Sequence, residues 1–314
     1  MVPGLRSLTR APDDLIRPFQ IESMGVRGRL VRLGPALNEI LDRHAYPDLV
    51  SRLLAEAVAL SCALAGALKF DGVFTLQTKG DGPISTLLAD FKSPGSLRGY
   101  AQFDAEAVRN LDPSLMPSIP RVLGAGYIAF TVDQGPDTER YQGIVALEGF
   151  SLADCAHNYF RESEQIETAI VLAGGRESDD GPWRGGAIML QRLPEGDPSL
   201  LARGVEFERD DVSEDDWRRL VILLASTQAS ELIDPNLTGD ELLYRLFHED
   251  GVRIFEPTQL QPGCRCSQQR AERILQQLPG TELVDLAVDE QLIVTCEFCN
   301  ASYTFPLEQF SLPG

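Results

Sequence analysis

Positive charge is scarce in this chain of 314 residues, where 28 Lys and Arg face 47 Asp and Glu for a formal net charge of −19. Binding to nucleic acid draws on counterions released by Lys and Arg, so this balance argues against non-specific phosphate binding, and no nucleic-acid partner is expected. Long apolar runs are missing too. The most apolar stretch, Ala57 to Leu68, lies between Glu56 and Lys69. It offers roughly a dozen apolar residues where a membrane span needs about 20, so a buried helix and no membrane partner are expected. The opening MVPGLRSLTRAPDD has no apolar segment behind its positive charges. It does not resemble a signal peptide, and the cytoplasm is the expected compartment. Cysteine is sparse: six in the whole chain make no disulfide scaffold, and a reducing compartment keeps them as thiols. Nucleophile elbows of the G-x-S-x-G type, Walker loops and EF-hand loops are absent, and His44, His157 and His248 are scattered without metal-ligand spacing.

What is present suits a globular protein. With 43 % of residues hydrophobic and 24 % charged, the chain can bury a sizeable core, and its length suggests about two domains. Val26 to Leu33 sets Val, Leu and Val against Arg with period two, the pattern of a half-buried strand. Pro47 opens the long apolar helix. Thr75 to Gln77, Tyr127 to Val132, Gly143 to Leu147 and Thr168 to Leu172 read as strands, with turns at Gly80 to Gly82 and Asp133 to Gly135. Ser151 with Asp154 caps a helix running through Cys155 to Glu162. The order is that of an α+β fold with a mixed sheet-and-helix core, not a regular βαβ alternation. Gly124 to Ala129 fits the G-x-G-x-x-A dinucleotide fingerprint, but a strand follows where a helix must receive the pyrophosphate, so no nucleotide site is expected there. The pairs Asp13-Asp14, Asp179-Asp180 and Asp215-Asp216 read as solvated loop or helix-start charges.

Composition shifts near Leu193. PEGDP occupies 194–198, and Leu201 to Asp250 then carries thirteen acidic against five basic residues, which marks a linker. Inside it, Ser213 with Asp216 caps a stretch where Trp217, Leu220, Val221, Leu224 and Leu232 recur at helical spacing. Thr238 with Glu241 forms a T-x-x-E capping box ahead of Leu242, Leu246 and Phe247. Amphipathic helices of this kind fold only where their apolar stripe finds a partner surface. The division expected is a core over 1–194, an acidic switch linker over 195–256 and a C-terminal unit over 257–314.

That last unit holds the strongest chemical signal. Cys264-Arg-Cys266 is followed after twenty-nine residues by Cys296-Glu-Phe-Cys299, and two close pairs of thiolates match a tetrahedral zinc site. Ser267 caps a helix from Gln268 to Leu278 that Pro279 and Gly280 stop, and Leu292 to Thr295 with Tyr303 to Phe305 flank the second pair as strands. The unit has too few apolar residues to be stable alone, so metal binding would supply its folding free energy. Two readings of the four cysteines stay open: a permanent structural zinc module, or a site whose thiolates answer an oxidant, since C-x-C and C-x-x-C both bring sulfurs close. A thiol-disulfide oxidoreductase is a third and weaker reading, because its C-x-x-C opens a helix. Cys62 in the apolar helix reads as a small buried hydrophobe, and Cys155 lies on a helix near His157.

The sequence resembles the redox-regulated bacterial heat-shock chaperones of the 33 kDa family through TLQTKGDGPISTLLAD, LRGYA, YQGIVALEG and YFRESEQIET, then CRC and CEFCNASYTF. The resemblance implies an ATP-independent holdase that binds unfolding client proteins under oxidative stress, performs no turnover and so is no enzyme, and forms a homodimer when active. It implies Cys264, Cys266, Cys296 and Cys299 as zinc ligands in the reduced, inactive state, and Cys264–Cys266 and Cys296–Cys299 as the disulfides of the oxidised one. Loss of zinc would then leave Trp217, Leu220, Leu224, Leu242 and Phe247 without a packing partner.

Overall fold

The first strand among the described residues, Leu15–Ile21 (β1), pairs antiparallel with β2, Val26–Leu33. The computed structural model describes residues 13–111, 118–136, 138–178, 180–192 and 214–310. In chain order there follow α1 (Pro35–Asp42), α2 (Asp48–Ala65), β3 (Val73–Gly80), β4 (Ile84–Lys92), β5 (Ser96–Phe103), and the short helices α3 (Ala105–Arg109) and α4 (Ile119–Val122). Then come β6 (Gly126–Asp133), β7 (Tyr141–Ala146), α5 (Leu152–Tyr159), β8 (Thr168–Arg176) and β9 (Trp183–Arg192). The acidic segment supplies α6 (Glu214–Ala225), α7 (Ala229–Ile233) and α8 (Gly239–Phe247). The strands β10 (Val252–Ile254), β11 (Thr258–Gln259) and β12 (Gln261–Pro262) lead to α9 (Gln268–Leu275), α10 (Gly280–Leu286), β13 (Gln291–Thr295) and β14 (Ser302–Pro306).

Two sheets form the core. One runs β10-β1-β2-β9-β8 with β11 also on β1, the other β12-β5-β4-β3-β6-β7, and α2 packs on strands of both. Apolar residues surround α2 almost completely, so it is buried nearly end to end, as a helix clamped between sheets must be. The fold is α+β, as the sequence indicated, with a cluster of four cysteines near the C-terminus.

The expected strands are present, and the sequence reading missed seven others: the short β10, β11 and β12, which carry too few residues to show a period, and the longer β1, β4, β5 and β9. Each of the four longer ones is buried on both faces or broken by Gly or Pro, which blurs the period-two signal. The apolar helix ends at Ala65, not Leu68, because Gly66 caps it. Helix α5 opens on the Ser151/Asp154 capping box and passes into a π turn over Phe160–Glu164. Pro279 and Gly280 start α10 and do not merely stop the preceding helix. Asp13 and Asp14 are not solvated: Asp13 meets the buried Arg184 and Arg32, and Asp14 accepts from the backbone N–H groups of Gly34 and Ala36 at the start of α1. The Ser213 cap, the PEGDP segment and Asp179 lie outside the described residues.

The acidic helices find their partner surface on the first sheet. Trp217, Leu220, Leu224, Leu232, Leu242, Leu243 and Phe247 are buried against Phe19, Ile21, Val26, Leu30, Ile188 and Leu190 of β1, β2 and β9. Gly28 makes room for this: a Cβ there would stand 2.1 Å from Cζ of Phe19, whose ring lies across that position. Burying such a side chain gives roughly 1.5–3 kcal/mol, opposed by the entropy of ordering helices too short to persist alone.

Candidate metal centre

Each cysteine pair is delivered by a different local device. Strand β12 adds parallel to β5, and the Gly263 N–H donates to Leu97 O at 2.7 Å, which sets Cys264 beside the second sheet. Ser267 then caps α9 by accepting from the Arg270 N–H, so Cys266 sits one residue ahead of that cap. The other pair lies in the turn between β13 and β14, closed by Cys296 N–H to Ala301 O at 2.9 Å and Asn300 N–H to Cys296 O at 2.8 Å, with Asn300 in the left-handed region.

The four sulfurs converge within 4.8 Å of one another, with Cys264 and Cys296 at 3.6 Å and Cys266 and Cys299 at 3.3 Å. Four thiolates about 2.3 Å from one ion lie about 3.8 Å apart, so the donor set and its spacing fit a zinc ion. Among themselves the thiols are electrostatically unequal. Burial raises the Cys264 thiol, but hydrogen bonds from the Cys266 backbone and from the other three sulfurs outweigh it and bring it to about 7. Burial first, and then the sulfurs it must donate to, push Cys299 up to about 12, and Cys296 is raised mainly by burial. The Tyr303 hydroxyl donates to Cys266 Sγ at 3.2 Å, and that bond is the main reason its own pKa rises to about 12. The apolar core of this unit is Ala271, Leu275, Leu283, Leu292 and Phe305, a small cluster for nearly fifty residues.

The two remaining cysteines stay apart from this cluster. Cys62 is fully buried in α2 and its thiol is pushed strongly upward by burial; Cys155 is buried on α5, raised to about 11, and donates to Glu148 O at 3.4 Å. Neither has the thiolate character of a reactive cysteine. His157 accepts from the Ile170 N–H at 3.1 Å, His44 stacks on Tyr46, and Gly126 of the fingerprint-like segment opens strand β6.

Residues between the cysteines fasten the unit to the N-terminal core. Arg265 forms an ion pair with Asp90 of β4, and the Arg98 guanidinium lies 3.7 Å from the centroid of the Phe298 ring. Tyr100 reaches Glu297 at 3.4 Å, His44 Nε2 is 3.3 Å from Phe298 O, and Asn300 donates to Arg43 O at 3.2 Å. A second polar fastening holds the acidic helices. Arg32 and Arg184, both 1 % exposed, donate to carbonyl oxygens at the end of α7: Arg32 to Glu231 O at 3.2 Å and to Asp234 O, Arg184 to Ile233 O at 2.5 Å. A helix C-terminus presents carbonyls without intrahelical partners, so cations fit there. The sequence reading missed both arginines, although a signal existed. Arg32 shares the parity of Val26 and Leu30, and Arg184 that of Ile188 and Leu190, so each interrupts an apolar face. Asp90 and Arg98 carried no such signal.

Comparison with known proteins agrees with this architecture. The chain matches the family described as Hsp33 protein over residues 14–306. It is 41 % identical over 296 residues to the 33 kDa chaperonin of Caulobacter vibrioides, covering 93 % of this chain and 94 % of that one. To the 33 kDa chaperonin of Escherichia coli O7:K1 it is 32 % identical over 293 residues, covering 93 % and 92 %. The crystal structure of the 33 kDa chaperonin homologue from Thermotoga maritima superposes with a TM-score of 0.76 at 22 % identity, covering 95 % and 97 %. Among the described residues, no helix is long and apolar enough to cross a membrane.

Proposed function

This chain belongs to the Hsp33 family, and from that membership we propose that it is a redox-regulated, ATP-independent holdase of the reducing cytoplasm that binds unfolding proteins under oxidative stress. The observation that carries the reading is the convergence of Cys264, Cys266, Cys296 and Cys299 within 4.8 Å in a unit with little core of its own. A zinc ion bound there would supply the positive centre that keeps four thiolates together and, with them, folding free energy of the order of 10–16 kcal/mol, as in zinc-finger peptides. The chain's part is to hold the four sulfurs, through β12, the Ser267 cap and the β13–β14 turn.

Oxidation by a peroxide joins Cys264 to Cys266 and Cys296 to Cys299, the pairing that the family resemblance implies. Each pair gives up two electrons and two protons, and each peroxide is reduced to two molecules of water. Two disulfides leave no thiolate to hold a metal ion, and the unit loses the cross-links between its halves. The segment that follows α8 is stitched by β10 and β11 to β1 and by β12 to β5, directly ahead of Cys264. Loosening at the cysteines therefore acts on the strand that anchors the acidic helices, a bistable element biased by a local event. Undocked, Trp217, Leu220, Leu224, Leu242 and Phe247 and the sheet face beneath them become apolar surface for clients, while a charge of −19 keeps the complexes soluble. The active form is a homodimer in this proposal, as the resemblance implies.

The test is light scattering of a chemically unfolded, aggregation-prone protein diluted into this one, either reduced with zinc or treated with peroxide at mildly raised temperature. Suppression by the oxidised form alone is the expected result. Equal behaviour in both states would return the cysteines to a permanent structural role.

A further inference from the structure

The surface under the cysteine loops is built by the sheet itself. Thr75, Asp90 and Arg98 stand side by side across β3, β4 and β5, in register at Thr75↔Asp90 and Asp90↔Arg98. The Asp90 carboxylate is only 4 % exposed, and its two oxygens are shared out: Thr75 donates to Oδ1 at 2.6 Å, Arg98 to Oδ2 at 2.7 Å. Tyr100 lies two residues along the same strand as Arg98 and so on the same face. Strand pairing places the backbone of all four, and the Thr75–Asp90–Arg98 bonds lie within the sheet itself.

What covers this surface comes from elsewhere. Arg265, between Cys264 and Cys266, completes the ion pairing of Asp90 Oδ2. Phe298, between Cys296 and Cys299, lies on the Arg98 guanidinium at 3.7 Å and against the Tyr100 ring at 6.0 Å between centroids. Both occupants sit on loops whose shape is set by the meeting of four sulfurs, whereas the surface beneath is held by strand pairing. A rearrangement at the sulfurs displaces the occupants and leaves the surface standing. Its chemistry is then that of its present occupants: a guanidinium or ammonium for Asp90, and an aromatic ring for the exposed face of Arg98 and for Tyr100.

We propose that the β4–β5 surface carrying Asp90, Arg98 and Tyr100 is a client-binding surface for a basic residue beside an aromatic one, covered by Arg265 and Phe298 as an internal mimic of such a client. The proposal rests on the redox reading above for the event that uncovers the surface. It is separate from the apolar face beneath the acidic helices, which carries Phe19, Val26 and Leu30 on the other sheet. A chain with a charge of −19 favours basic segments of a client, and this surface gives that attraction a specific seat.

The test titrates the full-length protein against a fluorescent, unstructured peptide with one Arg and one Phe, and a matched peptide with Glu and Ala in their places. Oxidised protein is expected to bind the Arg/Phe peptide, and Asp90→Asn to weaken that binding about tenfold, the effect of losing one charged hydrogen bond. Reduced Arg265→Ala/Phe298→Ala protein, whose β-surface is unaltered, is expected to bind the same peptide without peroxide, where the reduced parent does not. Equal binding of the two peptides, or of the parent and Asp90→Asn by the oxidised form, overturns the proposal, as does a reduced double variant that stays inert. These outcomes are separable from the holdase reading, which stands or falls on suppression of aggregation by the oxidised parent.

Discussion

Phe19 of β1 and Phe247 at the end of α8 stack with their centroids 5.9 Å apart, and both are within 1 % of full burial. This contact joins residues 228 positions apart in the chain and pins the last acidic helix to the first strand. Removing the ring from Phe247 should release about 3–5 kcal/mol of packing. Phe247→Ala is therefore expected to suppress client aggregation while still reduced, measured by light scattering without peroxide, with the four cysteines still holding zinc. Gly28→Ala should act in the same direction, because a Cβ at that position collides with the Phe19 ring.

The arginine clamp on α7 makes a prediction of different character. Arg184→Ala leaves Asp13 with one buried cation in place of two and takes a donor from Ile233 O. Breaking a buried pair costs about 3–5 kcal/mol. The expected outcome is faster proteolysis within 214–250 of the reduced protein, with α9 to β14 keeping their protection.

Chelation should act in the reverse order. With so small a core around Leu275, Leu283 and Phe305, a strong chelator at neutral pH is expected to remove one zinc per chain and abolish amide-exchange protection in β13 and β14 first. Persistence of that protection after complete chelation would show that the unit folds without metal. Cys264→Ser with Cys296→Ser should reproduce the chelated behaviour.

A pH effect is expected away from the cysteines. Burial on α2 raises the Glu56 carboxyl to about 7, partly opposed by Arg52. A carboxyl whose folded pKa exceeds its unfolded value destabilises when it ionises, so the parent loses stability as pH rises from about 4.5 to 7. Glu56→Gln should remove that slope in denaturant melts at pH 5 and pH 8. The residue keeps some contact with solvent, so the gain at pH 8 is expected on the order of 1 kcal/mol, below the roughly 3 kcal/mol of full enclosure.

Much of this protein can be read directly from its amino acids. The cysteine spacing, the capping boxes at Ser151 and Thr238, the Ser267 cap and the strand over Val26 to Leu33 are local patterns, and each was realised where it stood, although burial along that strand alternates only as far as Leu30. They determine the helix starts, several strands and a four-sulfur cluster, because capping, periodicity and ligand spacing act over a few residues. Strands such as β4 and β9 escaped notice because both of their faces are buried, which erases the alternation.

Only the tertiary structure decided what the cluster touches. Arg265 and Asp90 are separated by 175 residues, and nothing in CRC says whether its arginine faces water or a buried carboxylate. Arg32 and Arg184 likewise break an apolar pattern without naming the carbonyls of α7 that they serve. The physical reason is that a cap or a ligand pair is set by the chain's own short-range geometry. An ion pair between distant segments exists only once two sheets and three helices have fixed where both partners stand.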